Sequence, residues 1–309
     1  MALIRGGELH LLASKHFEPE LVLHCVRREE ITIINSAPSM FYSVLEWPTQ
    51  VSSLLSPLRW VFLGGEPIAA ARLMDWVQNP RCNATVVNVY GVAECADVSA
   101  AYELVDYERY AAESVPLGRP IFNTHIYLLD DENKEVAVGD VGEICIGGDG
   151  VGLGYENDPD LTEKRFIPDS LSGSTDGRIY RTGDLGRIGE NWNLEYRGRI
   201  DHQVKIAGVR IELGDVEAVM RSHPHVKDVV VTAVEYQGEK SLVACVMCNS
   251  DADEAEVNRN LREYMRERLP PPMRPSGIYR VTTIPLTPNG KVDRKAVENM
   301  ATGRDTPSA

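Results

Sequence analysis

Residues 180–188 of the chain read YRTGDLGRI, and the run EYRGRIDHQVKIAGVRIELGDVE follows at residues 195–217. Glycine and aspartate are common in tight turns, so the pattern by itself favours two β-hairpins. Two features go beyond what a turn requires, because Asp184 follows a Thr-Gly pair and Asp201 lies inside a basic run. An ionised aspartate only accepts hydrogen bonds, so Asp184 is a candidate acceptor for a vicinal diol such as a ribose.

The composition restricts the protein to a few classes. The 309 residues are 43% hydrophobic and 25% charged, which is enough for a buried core and two or three domains. The sequence shows no secretory signal and no apolar run near the ~20 residues of a membrane span. Six scattered cysteines suit a reducing compartment, so we predict a cytoplasmic protein with no membrane partner. The formal charge of −14, without a basic block, predicts no nucleic-acid partner.

The secondary-structure pattern changes twice along the chain. From Ile31 to Gly91, short β-branched runs alternate with helical patterns, which predicts a parallel sheet with crossover helices. From Ser114 to Gly198, short strands are separated by Gly and Asp turns, which predicts a small antiparallel barrel or sandwich. After Asp201, a helix, two strands and a long charged helix predict a compact α+β unit.

These changes predict the domain boundaries. Residues 1–200 are expected to form a large core, α/β over residues 1–113 and β-barrel-like over residues 114–200. Residues 201–300 are expected to form a small α+β domain, and residues 301–309 a linker tail.

The segment NVYGVAE, at residues 88–94, follows a predicted parallel strand. Open α/β sheets bind ligands at the carboxyl ends of their strands. Tyr90 is a candidate to stack on a base, Asn88 to hydrogen-bond its edge, and Glu94 to hold Mg²⁺, which prefers carboxylate oxygen. On spacing alone, an ordinary strand end is the alternative. The glycine runs at residues 63–67 and 147–154 do not match a phosphate-binding loop, so we expect turns there.

Five segments in a fixed order resemble the core motifs of one enzyme group. They are NVYGVAE, GEICIGGDGVGLGY, YRTGDL, GRIDHQVKIAGVRIELGDVE and TPNGKVDRKA. In this order they resemble the amino-acid adenylation domains of nonribosomal peptide synthetases, within the acyl-adenylate-forming, AMP-binding superfamily. The resemblance covers essentially the whole chain, and it implies a truncated adenylate-forming core with a small hinged C-terminal domain.

The resemblance also implies a reaction and its cofactors. ATP, with Mg²⁺, reacts with an amino acid substrate to give an aminoacyl-AMP and pyrophosphate. The acyl group then passes to the phosphopantetheine thiol of a peptidyl carrier protein.

The resemblance assigns roles to individual residues. By similarity, Asp184 binds the ribose hydroxyls and Arg199 assists at the ribose and phosphates. Asn88 and Tyr90 frame the adenine, and Glu94 contacts Mg²⁺.

The C-terminal region carries two further implied roles. Asp201 is the hinge at which the small domain turns, and Lys291 bridges the substrate carboxylate and the α-phosphate. The same resemblance implies a pocket for the amino-acid side chain, lined by Asn35, Phe62, Gly64, Val89, Asp97 and Val98. The acidic Asp97 suggests a polar or basic substrate side chain.

The chain also departs from the family pattern. The Pro-Thr that normally precedes the glutamate is Val92-Ala93, so a hydroxyl that meets phosphate is missing. The phosphate loop and the aspartate that grips the substrate amino group are expected in a missing N-terminal half of the domain. The chain is therefore expected to be inactive alone, as a fragment or as one part of a split enzyme. The alternatives are a degenerate nucleotide- or carrier-binding module and a fragment of an acyl-CoA synthetase-like ligase.

Overall fold

A mixed sheet forms the first layer of the chain in the computed structural model, which describes residues 3–12, 17–173, 177–200, 203–206, 208–236, 239–249, 254–285 and 292–302. Its strands, in spatial order, are β1 (Ile33–Ser36), β2 (Trp60–Gly64), β3 (Thr85–Tyr90), β4 (Ala100–Glu103) and β5 (Arg119–Pro120). β1, β2 and β3 are parallel, which confirms the parallel sheet that the alternating pattern predicts. β4 and β5 add antiparallel strands that the pattern did not indicate.

Short helices cover this sheet and enclose its core. They are α1 (Pro19–Arg28), α2 (Pro38–Leu45), α3 (Val51–Leu54), α4 (Met74–Val77) and α5 (Tyr107–Tyr110). In α1, proline occupies the first turn, where its missing N–H costs nothing, and Leu23 and Val26 are the buried side chains. Phe41 of α2 packs edge-on against Trp76 of α4, with ring centroids 5.3 Å apart.

An antiparallel sheet forms the second layer. Its strands are β6 (Thr124–Leu129), β7 (Gly142–Gly148), β8 (Phe166–Pro168), β9 (Arg178–Ile188) and β10 (Leu194–Arg199), and helix α6 spans Pro159–Arg165. The spatial order is β10-β9-β7-β6, with β8 also paired to β9.

The predicted barrel is wrong, because the described strands of this sheet form an open array in which β6 and β10 are its two ends. The physical reason lies in what the sheet covers. Ile144, Tyr180 and Leu194 share one apolar cluster with Tyr90 and Leu117 of the first layer. The sheet therefore buries its apolar face against a neighbouring layer, and closing on itself is unnecessary.

The C-terminal third of the chain is a separate α+β unit, since the chain divides into compact units at Met1–Asp201 and His202–Ala309. Its elements are the hairpin β11 (Val204–Ile206) and β12 (Val209–Ile211), helix α7 (Leu213–Arg221), strands β13 (Val226–Tyr236) and β14 (Glu239–Cys248), helix α8 (Glu254–Arg268), strand β15 (Gly277–Arg280) and helix α9 (Arg294–Thr302). β13, β14 and β15 form one sheet, on which Val216, Met220 and Leu261 pack.

Single 3-10 turns complete the elements of both units. They span Leu3–Arg5, Ala70–Leu73, Ala93–Cys95, Glu190–Trp192 and Pro271–Met273. No helix among the described residues has the length and apolar character that crossing a membrane requires.

Candidate functional site

The segment Thr182–Asp184 is a bulge inside strand β9. Glu143 of β7 pairs with Leu185 and Cys145 pairs with Arg181, so one residue of β7 opposes three of β9. Gly183 has a φ of 76°, a conformation that residues other than glycine adopt at a cost. Bulges of this kind change the direction of a side chain next to them. The Thr-Gly-Asp run is therefore part of a continuous strand, where the sequence alone favoured a hairpin turn.

Side chains replace the backbone hydrogen bonds that the bulge interrupts. The hydroxyl of Thr182, fully buried, donates to the carbonyl of Ile144 at 2.6 Å and accepts the N–H of Asp184 at 3.0 Å. The N–H of Gly183 donates to Glu143 Oε1 at 2.9 Å. The bulge is thus held by its own threonine and by a carboxylate on the neighbouring strand.

The carboxylate of Asp184 lies between two donors. Tyr90 Oη donates to its Oδ2 at 2.7 Å, and Arg199 Nη1 donates to its Oδ1 at 2.5 Å. Arg199 lies directly opposite Asp184 across β9 and β10, and its Nη2 also donates to the carbonyl of Thr182 at 3.2 Å. Only 3% of the Asp184 side chain and 10% of the Arg199 side chain are exposed. We name these three residues, Tyr90, Asp184 and Arg199, the carboxylate cluster.

Tyr90 is buried at the end of β3. Burial raises the pKa of its hydroxyl well above the usual value, and the negative charge of Asp184 raises it further. The hydroxyl therefore stays protonated and donates to the carboxylate. Asn88, two residues earlier on the same strand, is also buried, and its Nδ2 donates to the carbonyl of Pro116 at 2.7 Å. The structure thus brings Tyr90 to Asp184, while Asn88 joins β3 to the segment before β5.

Glu94 lies in the 3-10 turn after β3, and two tyrosines hold its carboxylate. Tyr155 Oη and Tyr180 Oη each donate to Glu94 Oε1 at 2.8 Å, and the two hydroxyls are 3.0 Å apart. Burial raises the pKa of Tyr155, and the neighbouring Tyr180 hydroxyl and Glu94 carboxylate raise it further, so this hydroxyl is a donor at neutral pH. The arrangement fixes the direction of one carboxylate that suits a hard cation.

The glycine run at residues 147–154 packs its backbone on this turn. The N–H of Gly152 donates to the carbonyl of Glu94 at 2.8 Å. A Cβ at Gly150 would lie 2.9 Å from the carbonyl oxygen of Cys95, so a larger residue would displace the turn. These glycines therefore allow two backbones to approach closely, beyond the simple turn that the sequence predicts.

Four of the six predicted pocket residues share one face of the first sheet. Asn35 pairs with Phe62 across β1 and β2, and Gly64 pairs with Val89 across β2 and β3. Residues 62 and 64 are two positions apart, so their side chains point to the same face. A Cβ at Gly64 would lie 2.7 Å from Val89 Cγ2, which explains why the smallest residue stands there.

The other two pocket residues, Asp97 and Val98, lie in the loop between β3 and β4. Asp97 is exposed and has a φ of 77°, and Ala96 before it has a φ of 59°. A Cβ at Gly91 would lie 1.8 Å from the carbonyl oxygen of Asp97, so the loop folds back onto the end of β3. The structure therefore places all six residues near the carboxyl ends of β1, β2 and β3.

Sequence reasoning missed four residues that support the site. They are Glu143, Tyr155, Thr182 and Tyr180. Thr182 and Tyr180 stand beside Asp184 in the YRTGD run, which was the available signal. Among the sequence-predicted residues, Asp201 and Lys291 lie outside the described part of the chain.

The sequence matches two models of known protein families. Residues 1–156 match the model for AMP-binding enzymes, and residues 215–291 match the model for the C-terminal domain of AMP-binding enzymes. The chain belongs to the AMP-binding enzyme family. The chain is 38% identical over 303 residues to the dimodular nonribosomal peptide synthase of Bacillus subtilis, and 36% identical over 299 residues to tyrocidine synthase 1 of Brevibacillus parabrevis. Both matches cover 96% of the chain, but only 12% and 26% of those synthases.

Solved structures show the same fold. The amide bond synthetase McbA from Marinactinospora thermotolerans matches with a TM-score of 0.80 and 28% identity, over 93% of this chain and 55% of that protein. A nonribosomal peptide synthetase protein containing adenylation and PCP domains matches with a TM-score of 0.75 and 28% identity, over 91% of this chain and 46% of that protein. The chain thus spans about half the length of these solved relatives.

Proposed function

We propose that the chain is part of an ATP-dependent amino-acid adenylation domain that serves a peptidyl carrier protein in nonribosomal peptide synthesis. The carboxylate cluster carries the proposal, because its Asp184 is a buried, acceptor-only carboxylate in a chain of the AMP-binding enzyme family. Similarity to a protein with adenylation and PCP domains supports a carrier partner whose phosphopantetheine takes the acyl group.

The carboxylate cluster suits a ribose. Each oxygen of an ionised carboxylate offers about two lone-pair positions. Oδ1 of Asp184 accepts a hydrogen bond from Arg199 and Oδ2 accepts one from Tyr90, so each oxygen has room for one ribose hydroxyl. Because the carboxylate is only 3% exposed, we propose that neighbouring side chains shift when the nucleoside enters. Asn88 and Tyr90 then frame the adenine, and Arg199 assists at the phosphates.

Glu94 suits Mg²⁺ in this proposal. Magnesium in nucleotide sites is held by one or two carboxylates together with substrate phosphates. The described residues contain no cluster of three or more potential metal ligands. Bound magnesium neutralises phosphate charge. Tyr155 and Tyr180 orient the carboxylate that would hold it.

The proposed chemistry joins the substrate carboxylate to the α-phosphorus of ATP. An oxygen of the amino acid bonds to that phosphorus, and the bond to the pyrophosphate oxygen breaks. Lys291 supplies positive charge to this step, and Asp201 is the hinge at which the small domain turns before thiol transfer. The six pocket residues at the strand ends select the amino-acid side chain.

Amino-acid-dependent exchange of pyrophosphate into ATP tests the proposal. We expect no exchange above a boiled control from the 309 residues alone, and exchange after fusion to the N-terminal part of an adenylation domain. In the fused enzyme, Lys291→Ala should lower exchange by about 10²-fold, as loss of one preorganised charge does. Lys295→Ala, an exposed lysine of the same motif, is the matched control and should retain the parent rate.

A non-catalytic nucleotide-binding module is the second candidate. Ala93 favours it, since this exposed position lacks the hydroxyl that the family motif carries. A fused enzyme that binds adenosine but exchanges pyrophosphate with no amino acid would support this candidate over the adenylation domain.

A further inference from the structure

Glu143 is a buried carboxylate to which neither the motif resemblance nor the proposed reaction gives a role. It lies on β7, and only 4% of its surface is exposed. Burying a charged group is unfavourable unless it is paired and hydrogen-bonded. Arg181 supplies that pairing, because its Nε donates to Glu143 Oε2 at 2.8 Å and its Nη2 contacts the same oxygen.

The other oxygen of Glu143 is directed at the bulge. Its Oε1 accepts the N–H of Gly183 at 2.9 Å. At this position a regular antiparallel ladder would offer a backbone carbonyl, but the bulge moves Gly183 out of register. Glu143 therefore supplies the acceptor that the strand pairing lacks, one residue before the carboxylate cluster.

We propose that Glu143 is a positioning residue for Asp184, and that it sets ribose recognition through the backbone of the bulge. The inference rests on the proposed ribose site. The N–H of Asp184 donates to the hydroxyl of Thr182. Gly183, the residue before Asp184, is conformationally permissive. Fixing the Gly183 N–H removes the freedom of that glycine, so the Asp184 carboxylate keeps one direction. In this proposal Glu143 acts through the Gly183 backbone and does not itself contact the nucleoside.

Two substitutions separate positioning from simple ion pairing. Glu143→Gln keeps the shape but directs either an amide N–H₂ group or a weaker neutral acceptor at Gly183. Arg181→Lys keeps a cation beside Glu143 and leaves the Gly183 bond in place. If Glu143 acts through Gly183, only the first substitution should weaken ribose recognition.

Calorimetric titration of the full chain with adenosine and with 2′,3′-dideoxyadenosine tests the inference. In the unaltered chain we expect adenosine to bind about 10-fold more tightly, since the diol donates to a charged acceptor. Glu143→Gln should remove most of this ratio by weakening adenosine alone, and Arg181→Lys should retain it. A merely structural role would weaken both nucleosides equally in Glu143→Gln, and that result would overturn the inference.

The outcomes also separate this inference from the proposed function. If the unaltered chain prefers adenosine and Glu143→Gln keeps the preference, the ribose site stands and the positioning role is wrong. If the unaltered chain shows no preference, the ribose site fails and the positioning role fails with it. If Glu143→Gln does not fold, amide hydrogen exchange in the unaltered chain tests the contact instead. The Gly183 N–H should be protected from exchange, and exchange at the rate of an exposed amide would contradict its hydrogen bond to Glu143.

Discussion

The two sheets of the Met1–Asp201 unit present their candidate functional residues in different ways. The first sheet places its pocket residues near strand ends, and the side chains of two of them, Asn35 and Asp97, are exposed. The second sheet places Asp184 in the middle of its longest strand, through a bulge whose polar groups are buried. In the proposed function, the exposed pocket residues can therefore differ with little cost to folding, while the bulge residues serve both stability and nucleotide binding.

Breaking the ion pair of the bulge should have the largest effect on stability. Arg199→Ala leaves the Asp184 carboxylate buried without its cation, which we expect to lower the free energy of unfolding by about 3–5 kcal/mol. All four tryptophans lie between residues 47 and 192, so tryptophan fluorescence in urea reports this unit. The matched control is Arg197→Ala, whose pair with Glu195 is more exposed and should contribute less than about 1 kcal/mol. Equal losses of stability in Arg199→Ala and Arg197→Ala would show that the buried ion pair stabilises the protein no more than an exposed pair does.

The threonine of the bulge should have the next largest effect. Thr182→Val removes a buried hydroxyl that makes two hydrogen bonds, at an expected loss of about 1–3 kcal/mol. Thr182→Ser keeps the hydroxyl and loses one methyl group, so it should lose only about 1 kcal/mol in the same measurement. A serine variant as unstable as the valine variant would show that the hydroxyl contributes no more to stability than the methyl group.

The glycine of the bulge tests backbone conformation. Gly183→Ala places a side chain at a φ of 76°, at an expected loss of about 1–2 kcal/mol. Gly139→Ala is the control, because Gly139 has a φ of 98° and a Cβ added there would meet no atom within 4 Å. Both variants should lose comparable stability, but only Gly183→Ala should also weaken adenosine binding. Unchanged binding in Gly183→Ala would separate the bulge from the nucleoside.

A substitution in the first sheet should change the free energy of unfolding least. Asn35→Ala changes an exposed side chain on edge strand β1, so the free energy of unfolding should stay within about 0.5 kcal/mol. In the fused enzyme the same variant should change which amino acid supports pyrophosphate exchange. A stability loss above about 1 kcal/mol would remove the contrast between the two sheets.

The contrast also explains what the sequence could predict. The apolar run ATVVNVY carries Asn88 and Tyr90 near its end, so the strand end at Tyr90 could be predicted from the local pattern. The meeting of Tyr90 with Asp184 joins residues 94 positions apart, and no local pattern encodes such a contact. The Thr-Gly-Asp run was mistaken for a turn because bulges and turns use the same residues.

The open sheet and the burial of Glu143 could not be predicted from the sequence, for related reasons. Whether a sheet closes depends on which distant strands pair, and short strands between glycine turns suit a barrel and an open sheet equally. Glu143 stands after a glycine at the start of the apolar run EICIGG, where an acid resembles an exposed strand end. Only the register of β7 against β9 shows that its side chain is buried beside the bulge.

If the carboxylate of Asp184 recognises a ribose, Asp184→Asn should abolish that recognition. This variant keeps the size of the side chain and removes its charge. Titration of the full chain should show adenosine binding about 10-fold more tightly than 2′,3′-dideoxyadenosine, and Asp184→Asn should bind the two nucleosides equally. Retention of the adenosine preference in Asp184→Asn would show that the ribose is recognised by a group other than this carboxylate.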